Sequence, residues 1–158
     1  MNHSTGYPMR LRFAVALAAL ALGAPLLGLA AESPATGTIT VTMAGFRSDK
    51  GFMRISLFAS KKGYPGDHTR AVRTGSGSIK NGTATFAFTG VPHATYAIAV
   101  LHDENGNGKM DTNAIGIPKE GGGASNDAKA RFGPPKFDEA KFVLRDAQLK
   151  LRINIRYP

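Results

Sequence analysis

From Leu149 to Tyr157 every second residue is apolar: Leu149, Leu151, Ile153, Ile155 and Tyr157 alternate with Lys150, Arg152, Asn154 and Arg156. Side chains that repeat with period two belong to an extended strand with one buried face and one wetted face. A helix would scatter the same residues around its axis. The pattern recurs along the chain. Ile39, Val41 and Met43 interleave with Thr38, Thr40 and Thr42; Met53, Ile55 and Leu57 interleave with Arg54 and Ser56; Ala84, Phe86 and Phe88 interleave with Thr83, Thr85 and Thr89. Phe142 and Leu144 predict a short strand that turns at Asp146-Ala147 into the last one.

Tyr96 to Leu101 is apolar on both parities, as in a central strand covered on both faces, one of them by small side chains. Lys80-Asn81-Gly82 holds the Asn-Gly pair of a tight hairpin and is expected to join a weak strand near 71–79 to the strong one at 83–89. With about seven strands and no long amphipathic helix, the chain is expected to be all-β. The expected form is an antiparallel β-sandwich of immunoglobulin-like or transthyretin-like type.

Residues 102–140 keep neither period, and a connection this long is usually functional or disordered. Ile115, Ile117, Phe132 and Phe137 offer apolar anchors, so an ordered surface loop is expected, with one helical turn at 137–140 and a flexible point at Gly121-Gly122-Gly123. Phe132, Pro134, Pro135 and Phe137 are read as pinning and stiffening this loop rather than as an exposed recognition ridge.

The first thirty residues read as a signal peptide rather than as part of the fold. Arg10 and Arg12 precede an apolar run from Phe13 to Leu29, and Gly28 and Ala30 are the small residues of a cleavage site before Ala31. Gly23 and Pro25, with no basic cluster after the run, favour removal over a retained anchor. Leu11 separates the two arginines, so the general secretory route is expected, with a periplasmic or secreted product and no stable membrane anchor. The remaining single domain, 31–158, has 158 − 30 = 128 residues, enough for one sizeable core.

Of 20 basic residues, the leader takes two, leaving 18 against 11 acidic ones, a formal charge of +7. Such an excess attracts anionic envelope polymers. The basic residues are scattered from Arg47 to Arg156 with no run longer than Lys61-Lys62, which is a solvated surface and not a specific nucleic-acid site. There is no cysteine, hence no disulfide, no thiol nucleophile and no lipid-modified cysteine.

The long loop opens with Asp103-Glu104-Asn105-Gly106-Asn107-Gly108-Lys109-Met110-Asp111. Oxygen-bearing side chains at 103, 105 and 107 followed by Gly108 match the first half of a calcium loop, with the Lys109 carbonyl and the Asp111 carboxylate as the next ligands. Alternate side chains on a tightly turning backbone can converge on one hard cation. The twelfth position is Ala114 where an EF-hand has glutamate, and no helices flank the loop, so a calcium site here would be EF-like on a β scaffold. Asn113, Glu120 and Asp127 are candidates for a further ligand. A metal-free turn uses the same alphabet of Asp, Asn and Gly.

Three segments together resemble an uncharacterised family of exported bacterial proteins, domain of unknown function 2141. They are Leu101 to Asp111, Gly116-Ile117-Pro118-Lys119-Glu120-Gly121 and Arg131-Phe132-Gly133-Pro134-Pro135. The resemblance extends to Tyr96-Ala97-Ile98-Ala99 and implies an exported β-sandwich without an established activity. Where members usually carry an aromatic before Ser-Asn, this chain has Ala124-Ser125-Asn126, which implies weaker anchoring there.

No enzyme is expected. His102 beside Asp103 is read as a hydrogen-bonded structural residue at a strand end. The function expected is a non-enzymatic binding or structural module with a calcium-stabilised loop. The alternatives are a glycan hydrolase or lyase using His102 with Asp103 or Glu120, or adhesion to anionic envelope polymers.

Overall fold

The period-two segments are strands in the computed structural model, which describes residues 35–129 and 133–158. The expected signal peptide and Phe132 lie outside the described residues. In chain order the strands are β1 (Thr36–Ala44), β2 (Phe52–Phe58), β3 (Arg73–Gly77), β4 (Thr83–Pro92), β5 (Thr95–Asp103), β6 (Gly121–Ala124), β7 (Phe142–Val143) and β8 (Gln148–Asn154). One sheet has the order β4-β1-β8; the other has β3-β2-β5-β6, with β7 pairing the start of β5. The two sheets form the expected all-β, open sandwich. Among the described residues no helix is long and apolar enough to cross a membrane.

The core is made by the parities that the sequence marks as apolar. Ile39, Val41 and Met43 of β1, Met53, Ile55 and Leu57 of β2, Tyr96, Ile98 and Val100 of β5, and Ile153 of β8 are buried in one cluster. On β5 the opposite parity is buried as well. Ala97 packs with Ala124 and Ala140 beneath Tyr64 and Phe137, which is the small-residue face expected of this strand. The helical turn expected at 137–140 is α1 (Phe137–Ala140), and it pins the loop by setting the Phe137 ring edge-on to Tyr64 at 5.7 Å.

Three features differ from the sequence reading. First, β1 and β8 pair in parallel, from Thr38 opposite Gln148 to Ala44 opposite Asn154, within an otherwise antiparallel sandwich. Parallel neighbours need a long crossover, and here the crossover contains the whole second sheet. Second, Asn81 and Gly82 do form a tight turn, with positive φ of 51° and 68° and both Lys80–Thr83 backbone hydrogen bonds. The pairing stops at that bridge, however, and β3 joins β2 while β4 joins β1. Third, Gly121-Gly122-Gly123 is not a flexible point but most of strand β6, paired to His102, Leu101 and Val100 of β5. Nor are Ile115 and Ile117 anchors, since both are exposed.

The glycines of β6 are required by close approach. A Cβ on Gly121 would lie 2.5 Å from the Tyr157 ring and 2.8 Å from Ile155, and one on Gly123 would lie 2.7 Å from Ile153. The tail of β8 thus lies flush on the backbone of β6, and Arg156 adds to its outer edge through two hydrogen bonds of 2.9 Å with Gly122. Overpacking of this kind costs about 1–3 kcal/mol. Gly121→Ala is therefore expected to lower the unfolding free energy by about that amount in urea. Gly77→Ala, whose Cβ would meet only the flexible end of Met53 at 3.2 Å, should cost less. Equal stability of the two variants would refute the flush packing.

Candidate functional site

His102 and Asp103 are neighbours at the end of β5, and neighbours on a strand face opposite sides of the sheet. His102 has the parity of Val100 and Ile98 and turns inward; Asp103 has the parity of Ala97 and turns outward. Both side chains are fully buried. The strand alternation separates the two groups that a His102–Asp103 acid–base pair would need together.

Inside, His102 is held at both nitrogens. Nε2 lies 2.8 Å from the Lys50 carbonyl, which only accepts, so Nε2 carries the proton. Nδ1 lies 2.6 Å from the Tyr157 hydroxyl, and in the neutral ring it accepts from that hydroxyl. The Tyr157 oxygen in turn accepts the Arg47 backbone N–H at 3.0 Å. The Arg47 guanidinium lies 4.6 Å over the Tyr157 ring and forks onto Glu104, with Nε to Oε1 at 2.9 Å and Nη2 to Oε2 at 2.5 Å. Arg47 therefore holds the Glu104 carboxyl below the usual carboxylate range, against the upward push of burial.

Outside, Asp103 anchors the acidic loop. Its Oδ1 accepts the Asn107 N–H at 3.0 Å; its Oδ2 accepts the Gly108 N–H at 2.9 Å and the Nε–H of Arg54. Burial, the largest influence, pushes the Asp103 carboxyl up, but Arg54 and the N–H groups of Gly108 and Gly106 together bring it below its ordinary value. Asn105 and Asn107 each fold back on the backbone two residues ahead, accepting from Asn107 N and Lys109 N at 3.0 Å. Their amide groups then donate to Asp111, at 2.6 Å from Asn105 and 2.9 Å from Asn107. Glu120 closes the loop from below: its two oxygens accept the N–H groups of Glu104 at 2.8 Å and Asp111 at 3.0 Å.

The structure thus brings Asn105, Asn107 and Asp111 together at the surface and holds Asp103 beneath them. Lys109 contributes its backbone to the same turn. Of the three candidates for a further ligand, Glu120 is committed to the two backbone donors and Asn113 to its own turn, accepting from Ile115 and Ile117. Asp127 is elsewhere, bonded to Asn154. Among the described residues no three His, Cys, Asp or Glu side chains are grouped as they would be around a metal ion. The calcium expectation rests on the carboxylates of Asp103 and Asp111 together with the oxygens of Asn105, Asn107 and the Lys109 carbonyl, and the two amide oxygens here accept the N–H groups of Asn107 and Lys109.

Sequence reasoning missed Arg54, Arg47 and Tyr157. Arg54 was assigned to the wetted parity of β2, and the parity is right. With Phe52 opposite Asp103 and Arg54 opposite Leu101, Arg54 is the diagonal neighbour of Asp103 on one face. The strand register was the missing information. It also missed Ser125, whose buried hydroxyl accepts the Ile98 N–H at 2.9 Å and donates to the Ala140 carbonyl at 2.6 Å. With Asn126 donating to the Lys141 carbonyl at 2.9 Å, these bonds anchor the segment that follows the buried Ala124.

Comparison with known proteins gives one family. The model described as an uncharacterized protein conserved in bacteria (DUF2141) matches residues 41–152, and the chain belongs to that family. No curated protein and no solved structure matches it.

The Arg54–Asp103 pair generates a stability prediction. A carboxyl whose pKa is depressed on folding contributes stability above its unfolded value of about 3.9, lost as pH falls through the folded value. Unfolding free energy should therefore drop below about pH 4, with Glu104 contributing in the same direction. Arg54→Gln leaves Asp103 buried with backbone partners only. It is expected to cost about 2–3 kcal/mol at neutral pH, less than a fully buried pair because Arg54 is partly solvated. An unchanged denaturation midpoint would show that the pair is idle.

Proposed function

We propose that this DUF2141 member is an exported, non-enzymatic binding or structural module whose 103–111 loop takes up calcium. The observation that carries the proposal is the gathering of the Asn105, Asn107 and Asp111 side chains above a buried Asp103; the two amides now donate to Asp111 at 2.6 and 2.9 Å, and each would turn its oxygen from the backbone to the ion on binding. The residues that would hold the ion are Asp103, Asn105, Asn107, the Lys109 carbonyl and Asp111. A hard cation would supply the charge that Asp111 now receives only from amide dipoles. Arg54 competes for Asp103, so a weak affinity of the extracellular kind is expected, with Kd of about 0.1–1 mM.

The non-enzymatic reading is supported by the commitments of the candidate acid–base groups. His102 is bonded at both nitrogens, Asp103 at both oxygens and Glu120 at both oxygens, all to groups of the protein itself. A general acid or base needs a free atom within reach of substrate. Export by a cleaved signal peptide and a periplasmic or secreted destination belong to the same proposal, as do anionic envelope polymers as partners of the basic surface.

Calorimetry on residues 31–158 tests the calcium part. Calcium should bind in the submillimolar to millimolar range, and Asp111→Ala should weaken binding by at least about tenfold. Identical melting temperatures in calcium and in chelator, with no heat of binding, would end it.

A further inference from the structure

Past the acidic loop, residues 111–119 fold into a small hairpin of their own. The Asp111 carbonyl accepts the Lys119 N–H at 2.8 Å, Thr112 bridges Pro118 in antiparallel sense, and Asn113 N–H donates to the Ile117 carbonyl at 2.8 Å. Asn113 locks the tip: its Oδ1 accepts the N–H groups of Ile115 and Ile117 at 3.0 and 2.9 Å, and its carbonyl accepts that of Gly116 at 3.0 Å. These bonds fix the course of the backbone, yet the side chains at its end face water. Ile115 is 80% exposed and Ile117 44%. Lys109 and Lys119 are exposed on the approaches to the hairpin, and neither makes an ion pair among the described residues.

Turn tips ordinarily take Gly, Asn, Asp, Ser or Pro, each for a backbone reason. Isoleucine has none, being β-branched and apolar, and at Ile115 it is not used to fill the core. The chain itself leaves it in water, so any burial of it would come from outside the chain. We propose that this hairpin tip docks into the headgroup region of an anionic lipid surface. The shape is a projecting knob, which a bilayer boundary accepts to a depth of about 5–10 Å while a protein partner would need a matching pit. Protein hot spots favour Trp, Tyr and Arg, whereas this knob carries aliphatic residues flanked by lysines. Lys109 and Lys119 complement anionic headgroups, each adding attraction near the surface, and their alkyl stems can lie along the apolar boundary. Because Asn113 holds the tip in shape beforehand, docking does not have to order it.

This surface gives the non-enzymatic binding reading above a partner and a place, and it does not depend on calcium. Residues 31–158 contain every strand of both sheets and serve for the test, since the apolar run 13–29 would itself enter vesicles. In chelator, the protein is co-floated with vesicles of one part phosphatidylglycerol to three parts phosphatidylethanolamine, and with phosphatidylcholine vesicles. Binding to the anionic vesicles is expected, weakened at least about tenfold by Ile115→Asp and further by Lys109→Gln with Lys119→Gln. Val72→Asp replaces another water-facing apolar residue, half exposed, at the far end of the second sheet and should leave binding unchanged. Both aspartate variants sit on exposed positions, so circular dichroism should show both folded. Three results would overturn the proposal: no flotation, flotation insensitive to Ile115→Asp, or equal flotation with phosphatidylcholine. So would sedimentation showing that Ile115→Asp abolishes a dimer, which would make a second copy the occupant. Calcium binding measured by calorimetry is read separately, so failure of either proposal is visible without the other.

Discussion

The structure depends on one backbone-to-side-chain contact: the tail of β8 lying flush on a strand whose first three residues are glycine. Ile153, Ile155 and Tyr157 occupy the space that Cβ atoms of Gly121 and Gly123 would fill. That approach lets β8, a member of the three-stranded sheet through Asn154, cross to the other sheet and pair Arg156 with Gly122. Asp127 reinforces the crossing by accepting both the backbone and the side-chain N–H of Asn154, at 2.9 and 2.6 Å. One side of the sandwich is sewn shut, and the edge of β6 no longer offers its backbone to another chain. The same contact delivers the Tyr157 hydroxyl to His102 and its ring to Arg47, which then reaches Glu104. The seam thus supplies one clamp on the acidic loop, beside those of Arg54 on Asp103 and of Glu120 on the backbone.

Much of this fold was legible because burial writes itself into period two. β1, β2, β4, β5 and β8 each carry the parity signal, and β5 shows both parities because Ala97 and Ala99 face a second layer instead of water. What stayed hidden had no side-chain signal to read. β6 is Gly-Gly-Gly-Ala, a sequence whose extended conformation is imposed by its neighbours, not by its own propensity. The Asn81-Gly82 turn was readable because positive φ at both positions needs those residues. The fate of its strands was not, since a turn specifies its geometry over four residues and says nothing of which sheet each arm joins. Between the arms, Ile79 is buried where the chain passes from one sheet to the other, so the hairpin ends as soon as it begins.

The site divides the same way. Oxygen spacing from Asp103 to Asp111 predicted oxygens converging on one ion; Asn105, Asn107 and Asp111 do gather, with the amide nitrogens on Asp111 and the amide oxygens on the backbone. The partners that neutralise the loop, Arg54 and Arg47, come from positions 49 and 57 residues away in sequence, and their pairing rests on strand register and on the seam. Adjacent residues need not share a site. His102 and Asp103 look like a pair on paper, yet the pleat that makes the strands legible also assigns them to opposite faces.

The acidic loop and the apolar hairpin are one mechanical piece. Glu120 ties the backbone at Glu104 to the backbone at Asp111, and Lys119 donates to the Asp111 carbonyl while its own carbonyl accepts from Arg47. Asp111 is therefore both the residue on which the two amides converge and the first residue of the hairpin that carries Ile115. A cation held at Asp111 would act on the base of that hairpin through bonds already in place. Sites joined in this way influence each other reciprocally: an ion that favours the docked hairpin is itself bound more tightly when the hairpin docks. The isoleucines need no such help to be presented, because Asn113 and the backbone bonds of the hairpin already hold their turn. An ion's contribution would be to the angle at which the tip leaves the sandwich, and to the charge beneath it. Neutralising Asp111 beside Lys109 and Lys119 would leave that end of the molecule more positive, which favours an anionic surface on electrostatic grounds as well.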